Sequence, residues 1–220
     1  MQYVKIPVPM PPRNACFISF RNGTRELTRR FVRELHDGLS AELETQLGRG
    51  IGIFLDQERL QGGDFFNEII AQDLCDSSCL VLVYTPSYFD LDHTYCAREY
   101  KAMLEMESRR FELLDGADQR LHGLIIPVIF RGTVPAEIGD VRHCYDFSDF
   151  LLAEGTMTKH RRYAPKLREI AEYIAERHRV ISALENRNCA DYRLPSTDSI
   201  RDWLAGVVPK PLGLPGRVNV

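Results

Sequence analysis

One continuous apolar run, from Cys79 to Tyr84, limits what this chain can fold into more than any other feature of the sequence. The run shows no alternation of polar and apolar residues, and it therefore predicts a strand that is buried on both faces. Strands of this kind occur in parallel sheets that helices cover on both sides. The segment 85–94 then leaves the carboxyl end of a buried strand, which is the edge where open α/β sheets bind ligands.

Other apolar strands and amphipathic helices alternate along the chain. Apolar runs predict further strands at 16–20, 51–55, 124–130 and 143–147. Helical spacing predicts helices that begin near residues 24, 64, 94 and 163, the last ending near 186, and a short helix at 134–138. Pro127 removes a ladder donor, so its strand should be bulged or lie near a sheet edge. The predicted fold class is α/β, a three-layer sandwich around a parallel sheet of about five strands.

Composition divides the chain into three parts. Residues 1–13 hold four prolines and predict an extended N-terminal arm. Residues 14–186 carry the α/β pattern and form the predicted domain. Residues 187–220, rich in proline and glycine, predict a tail or linker with one short helix candidate at 199–204. Such a tail would lead to a further domain or contact a partner through Trp203.

Charge and cysteine content argue against several classes of function. A formal net charge of −3 argues against nucleic acid as the main partner, because phosphate binding needs a basic surface. No stretch has the apolar core of a signal peptide or the length of a membrane span, so we expect no membrane partner. The six cysteines lack the spacing of zinc ligands, and no metal site is predicted. With reduced thiols and no export signal, we expect a cytoplasmic protein.

Glu99 is the candidate catalytic residue. In a helix that begins near Thr94, the polar positions 98, 101, 105 and 109 share one face, whereas Glu99 shares a face with Tyr95, Cys96, Met103 and Met106. A carboxylate on the apolar side of a helix, beside a ligand-binding edge, is where a working acid would lie. The structural alternative is a glutamate placed near a helix N-terminus because the macrodipole favours it there.

Other chemical motifs are weak or missing. The segment after the first strand reads R-N-G-T, and it has neither a dinucleotide-binding glycine pattern nor a Walker lysine. Gly62 and Gly63 precede a helix and offer an anion site, but two glycines equally make a mobile loop. His93 is a candidate proton shuttle, and a solvated loop histidine is its structural alternative.

Four segments resemble, in order and spacing, the TIR (Toll/interleukin-1 receptor) domain family. They are Phe17-Ile18-Ser19-Phe20 at the first strand; Ile53-Phe54-Leu55-Asp56 with Arg59-Leu60-Gln61-Gly62, like strand B and the BB loop; Ser77 to Tyr88, like strand C and the CC loop; and Tyr95-Cys96-x-x-Glu99, like the family motif W/Y-C-x-x-E. The resemblance covers about residues 14–186 and implies a flavodoxin-like sheet.

In the enzymatic branch of that family, the resemblance implies cleavage of the nicotinamide–ribose bond of NAD⁺ with Glu99 as the catalytic residue. NAD⁺ would be the substrate, no cofactor is expected, and the product would be ADP-ribose or a cyclic isomer. The F-W motif of receptor-type members is not evident near the last helix, which favours a bacterial or enzymatic member. The resemblance to the enzymatic branch also implies a role in bacterial anti-phage defence.

The resemblance also implies a set of neighbouring site residues. Substrate contacts are expected from Phe20, Arg21, Asp56, Ser87, Tyr95 and Cys96. Each of the best candidates has a structural alternative, since Phe20 could be core, Arg21 a solvated charge and Tyr95 simple packing. Self-association into a homo-oligomer or filament through the BB loop would use Arg59, Leu60 and Gly62.

Two other functions remain open from the sequence. One is a non-enzymatic TIR adaptor that recruits partners through the same loop. The other is a nucleoside deoxyribosyltransferase, which shares the general fold and uses a glutamate on a ribosyl carbon. The acid on the apolar helix face favours an enzyme, because a scaffold has no need of it.

Overall fold

The computed structural model describes residues 12–21, 26–55, 66–114, 123–150, 156–184 and 189–207. Over these residues it has one sheet of five strands in the order β2-β1-β3-β4-β5, and every pairing is parallel. The strands are β1 Asn14–Phe20, β2 Gly52–Leu55, β3 Ser77–Tyr84, β4 Ile125–Ile129 and β5 Tyr145–Asp146. The predicted α/β fold with a parallel sheet is confirmed, and the strand order is that of a flavodoxin-like sheet.

Helices cover the sheet in two layers. They are α1 Glu26–Leu47, α2 Phe66–Cys75, α3 Tyr95–Glu112, α4 Ala136–Gly139, α5 Tyr163–Ala183 and α6 Thr197–Val207. Helices α1 and α5 pack on each other and on the central strands, while α2 and α3 pack together as the other layer. The predicted apolar stripe of α1 is buried at Phe31, Leu35, Leu39 and Leu43.

The two central strands bring the candidate site together. Every residue of β1 and of β3 is buried, which confirms the double-sided burial expected from the apolar run. Their register pairs Cys16 with Cys79 and Phe20 with Val83. The strands therefore end almost level, and the residues that follow them start side by side at the carboxyl edge of the sheet.

Pro127 lies in the strand next to the edge. Its strand β4 pairs with β3 in unbroken register from Ile125 to Ile129, so the expected bulge is absent and the edge alternative is correct. On its other side β4 pairs only through Val128 and Ile129 with the short β5. A missing ladder donor is tolerated there because little of β4 is paired on that side.

Residues 189–207 pack against α3, which differs from the predicted tail or linker over 187–220. Trp203 on α6 stacks on Tyr100 with ring centroids 5.7 Å apart and meets Phe89 edge-on at 5.6 Å. The Trp203 indole N–H donates to Glu137 Oε2 at 2.8 Å. The Tyr192 hydroxyl donates to the Ala102 carbonyl at 3.2 Å. Trp203 therefore packs on this domain's own aromatic surface, and its contact with a separate partner stays a prediction.

The polar face of α3 holds the same segment. Arg98 Nε donates to the Pro195 carbonyl at 2.6 Å, and Lys101 Nζ lies 4.2 Å from the centre of the Trp203 ring. Cation–π contacts of this kind are worth about 0.5–1 kcal/mol when exposed. Half of the face predicted to be polar is thus an intramolecular contact surface.

A disulfide between Cys75 and Cys189 ties the C-terminal segment to the end of α2, with a sequence separation of 114. The prediction of reduced thiols is wrong for this pair. Cys16 and Cys79 are buried thiols, and burial raises the pKa of Cys79 to about 12. Structural disulfides are rare in cytosolic proteins, so the cytoplasmic location loses one of its arguments and remains a prediction.

Two further expectations concern the ends and the membrane. Of the predicted arm over residues 1–13, only Pro12 and Arg13 are described, and Arg13 Nε donates to Asp76 Oδ2 at 2.7 Å. None of the helices in the described ranges is both long and apolar enough to span a bilayer.

Candidate active site

Glu99 lies in the second turn of α3, and its side chain is turned into the protein. Only 2% of the residue is exposed. The Ser19 hydroxyl, near the carboxyl end of β1, donates to Glu99 Oε2 at 2.5 Å. A buried strand and the first turns of a helix thus fix the candidate acid from two sides. The sequence had placed Glu99 on the apolar face of this helix, as the structure does.

A second hydroxyl completes the contact. The Tyr88 hydroxyl lies 2.6 Å from Ser19 Oγ, and Tyr88 is fully buried in the loop after β3. Because an ionised carboxylate only accepts, the Ser19 proton goes to Glu99, and the Tyr88 O–H is left to donate to Ser19. Burial, followed by the nearby Cys96 and Glu99, raises the pKa of Tyr88 well above its usual range. Tyr88 is therefore a protonated donor at neutral pH.

The position of Glu99 is energetically expensive for a charged group. Removing a carboxylate from water costs several kcal/mol even after the protein relaxes. A hydrogen bond to a charged acceptor returns about 1.5–3 kcal/mol. The positive end of the helix adds little, because its effect falls off within the first turn and Glu99 lies in the second. A carboxylate kept at such a place, beside the ligand-binding edge of a sheet, has the character of a functional group.

Arg21 and Phe20 follow Ser19 at the end of β1. The Arg21 guanidinium lies 3.7 Å from Asp90 Oδ2, and the same oxygen is 3.6 Å from His93 Nδ1. The structure therefore places a cation at the edge where one was predicted, paired with an acid of the loop after β3. Phe20 is buried within the core, which matches the structural alternative for this residue.

Tyr95 differs from its predicted surroundings. It was expected to share the apolar face with Glu99, but 41% of Tyr95 is exposed. As the first residue of α3 it lies where the helix leaves the packed layer, and the Arg98 guanidinium covers its ring at 5.4 Å. Arg98 covers one face of the ring, and the exposed part of Tyr95 is accessible to a ligand at this edge. Cys96, by contrast, is buried.

The other predicted residues divide into two groups. Ser87 is exposed on the loop after β3, with its Oγ 3.3 Å from Thr85 Oγ1. Asp56, Arg59, Leu60 and Gly62 lie outside the described residues, as does the Gly62-Gly63 pair considered as an anion site. In the ranges that the structure describes, no group of three or more His, Cys, Asp and Glu side chains could hold a metal ion.

Ser19 and Tyr88 are the contacts that reasoning from sequence missed. Both stand within the segments that carry the family resemblance, and each is adjacent to a predicted residue, Phe20 or Ser87. Successive side chains of a strand point to opposite faces. A serine inside an otherwise apolar strand, at its carboxyl end, was the available signal for Ser19. Tyr88 offered no comparable signal, because its contact is made across 69 residues.

The fold and the edge residues define a flavodoxin-like α/β domain with a buried carboxylate at the carboxyl edge of its sheet. The family model of the TIR domain matches residues 16–155. The match covers more than half of the chain, and the chain belongs to the TIR domain family. The resemblance inferred from the four segments is confirmed.

Comparison with solved structures gives a distant likeness. The structure of the activated Roq1 resistosome directly recognizing the pathogen effector XopQ (TIR domains) is 19% identical, with a TM-score of 0.37, over 73% of this chain and 82% of that chain. This likeness adds nothing to the fold described above. A comparison with curated proteins finds no match.

Proposed function

We propose that this TIR domain is an NAD⁺ glycohydrolase that cleaves the nicotinamide–ribose bond, with the Glu99 carboxylate as its catalytic residue. The observation that carries the proposal is the place of Glu99, which is buried at the carboxyl edge of the sheet and held there by Ser19. Membership of the TIR family supports the choice of substrate. A docking module gains nothing from a carboxylate kept out of water.

One carboxylate is sufficient for this reaction. The nicotinamide of NAD⁺ is already cationic, so it departs as a neutral molecule when the C1′–N bond breaks and the electron pair moves to its nitrogen. The ribose is left with oxocarbenium character, which a nearby carboxylate stabilises, as in glycoside hydrolysis. Water then attacks C1′ and gives a proton to Glu99, which passes it to solvent. The products are nicotinamide and ADP-ribose, or a cyclic isomer where a group of the substrate replaces water.

Neighbouring residues have distinct parts in the proposal. Tyr95 offers an exposed ring to a ribose or a base, and Ser87 offers an exposed hydroxyl. Arg21 would contact a phosphate, either after leaving Asp90 or while still paired with it. Phe20 and Cys96 are buried and would act by shaping the floor of the site. Asp56 completes the proposed set.

Activity is proposed to require self-association. Arg59, Leu60 and Gly62 of the BB loop would meet a neighbouring copy, and a head-to-tail contact of this kind produces a filament unless the rotation closes. The proposed setting is bacterial anti-phage defence, in which NAD⁺ would be depleted or converted to a signal.

One assay distinguishes the glycohydrolase from the deoxyribosyltransferase and from the non-enzymatic adaptor. The purified protein is incubated at high concentration with NAD⁺, or with a deoxynucleoside and a free base, and the products are resolved by chromatography. The account predicts release of nicotinamide from NAD⁺ and no exchange of deoxynucleoside bases. Base exchange would favour the deoxyribosyltransferase, and conversion of neither substrate would leave the adaptor.

A further inference from the structure

We propose that Ser19 and Tyr88 are positioning residues that hold the Glu99 carboxylate in its reactive orientation through a directed chain of two hydroxyl groups. This inference rests on the proposed function and deepens it. Neither residue is required to touch the substrate. Their role is to restrict the rotation of the carboxylate, so that it faces the bond to be broken.

The chain of hydrogen bonds has one direction. Tyr88 donates to Ser19 over 2.6 Å, and Ser19 donates to Glu99 Oε2 over 2.5 Å. Each hydroxyl in such a chain polarises the next, so the bond to the carboxylate is stronger than an isolated one. All three side chains are buried, with exposed fractions of 0%, 1% and 2% from Tyr88 to Glu99. Water therefore does not compete for these contacts.

Tyr88, the first donor in this row of hydrogen bonds, is itself held in place. The Tyr88 ring meets the Phe89 ring edge-on at 4.9 Å, and its backbone N–H donates to the Thr85 carbonyl at 2.9 Å. Ser19 stands on β1, whose register against β3 is continuous from Cys16 to Phe20. One hydroxyl is thus attached to a buried central strand and the other to a buried, packed residue of the next loop, and a catalytic group held by fixed neighbours loses little freedom at the moment of reaction.

The decisive experiment compares Ser19→Ala, Tyr88→Phe and the double variant in steady-state NAD⁺ cleavage. Ser19→Ala should lower kcat by about 10–100-fold, the range seen when an orienting partner is removed, with KM nearly unchanged. Tyr88→Phe should give a smaller loss of the same kind. The double variant should be no slower than Ser19→Ala, because Tyr88 acts only through Ser19.

Matched controls separate positioning from stability. Ser78 is also a buried strand serine, bonded to His178 Nδ1 at 2.8 Å, and Tyr173 donates to the Gly123 carbonyl at 2.9 Å. Ser78→Ala and Tyr173→Phe remove comparable hydrogen bonds away from the carboxyl edge. These variants should keep the wild-type kcat per folded molecule, with the folded fraction measured by thermal unfolding.

A pH profile supplies a readout that stability does not move. The Ser19 hydrogen bond favours the ionised carboxylate, so the acidic limb of kcat should move to higher pH in Ser19→Ala. Burial raises the pKa of Tyr88 and of Tyr100 above their usual value, and Cys96, Glu99 and Tyr100 add to the rise at Tyr88 while the Ser19 hydrogen bond opposes it, so neither tyrosine titrates in the acidic range. Asp90, His93 and Arg21 contact one another at the same edge, and we expect the Ser19 exchange to leave these contacts unchanged.

Failure of this inference is distinguishable from failure of the proposed function. If Glu99→Gln retains wild-type turnover, or the wild type releases no nicotinamide, the glycohydrolase proposal itself is wrong. If Glu99→Gln is inactive while Ser19→Ala keeps wild-type kcat and the wild-type acidic limb, only the positioning role is wrong. Additive losses in the double variant would also overturn it, because the two hydroxyls would then act independently.

Discussion

Two buried carboxylates on α3, Glu99 and Glu107, show how different surroundings give the same residue different roles. Glu107 accepts from the two terminal nitrogens of Arg142, Nη1 at 3.0 Å and Nη2 at 2.5 Å, and from the Leu124 N–H. Burial lowers the pKa of Arg142, but the hydrogen bond and the negative charge of Glu107, together with Tyr100, outweigh burial and raise that pKa above its usual value. This pair joins α3 to the segment before β5 and is structural. Glu99 lies at the carboxyl edge of the sheet and accepts from the Ser19 hydroxyl.

Replacing Glu107 should therefore affect stability and leave the chemistry intact. Glu107→Gln leaves the Arg142 charge half-buried without its anion, and the free energy of unfolding should fall by about 3–5 kcal/mol. Denaturant unfolding measures the loss. NAD⁺ turnover per folded molecule should match the wild type, and a loss of turnover larger than the unfolded fraction explains would contradict this division of roles.

Part of the site followed from local sequence and part did not. Glu99 was predictable because helical periodicity alone separates it from Arg98, Lys101 and the other polar positions. The exposure of Tyr95 was not, because periodicity does not show where a helix leaves the packed layer. Tyr88 was missed for a related reason, since its partner comes from a different strand.

At the scale of elements, the packing of α6 is the largest difference between the predicted and the observed fold. Its three buried apolar residues, Ile200, Leu204 and Val207, join the core, and Trp203 packs beside the loop that carries Tyr88 and Phe89. The proline-rich composition of 187–220 predicted a linker, because composition reflects only the local preferences of the backbone and not its tertiary contacts. The aromatic surface that receives Trp203 is built from α3 and the loop after β3, and no local pattern shows it.

Trp203→Ala tests this packing. The variant loses two aromatic contacts and the hydrogen bond to Glu137, so the free energy of unfolding should fall by about 2–4 kcal/mol, slightly below the usual value for a fully buried tryptophan. Amide exchange in residues 189–207 should accelerate first. Trp203→Phe, which keeps ring stacking, is the matched control. Exchange unchanged from the wild type would mean that this segment does not depend on the indole.

At the scale of the whole molecule, the parallel sheet could be predicted from the sequence, but the disulfide that ties the C-terminal segment to it could not. The parallel sheet follows from buried apolar runs separated by helices, whereas its strand order was implied only by the family resemblance. The Cys75–Cys189 disulfide could not be predicted, because six scattered cysteines permit many different pairings and are equally compatible with six free thiols. Disulfides typically contribute about 2–4 kcal/mol, and the chain-entropy model gives about 4.7 kcal/mol for a loop of about 100 residues.

Self-association is the prediction that belongs to the whole molecule. If the BB loop of one copy completes the site of the next, specific activity should climb as protein concentration rises and fall nearly to zero on dilution. A dilution series with light scattering in parallel measures both quantities. Leu60→Asp should shift the curve to higher concentration. Strictly proportional activity over the whole series would indicate a self-sufficient monomer.

The most direct test of the central claim is nicotinamide release from NAD⁺ by Glu99→Gln, with Glu105→Gln as its matched control. Both exchanges remove one charge from α3, but Glu105 is exposed and Glu99 is buried beside Ser19. The account predicts that Glu99→Gln lowers kcat by about 10²–10⁴-fold, the usual contribution of a catalytic acid–base group, while the fold persists and Glu105→Gln behaves as the wild type. Wild-type release of nicotinamide by folded Glu99→Gln would contradict the account.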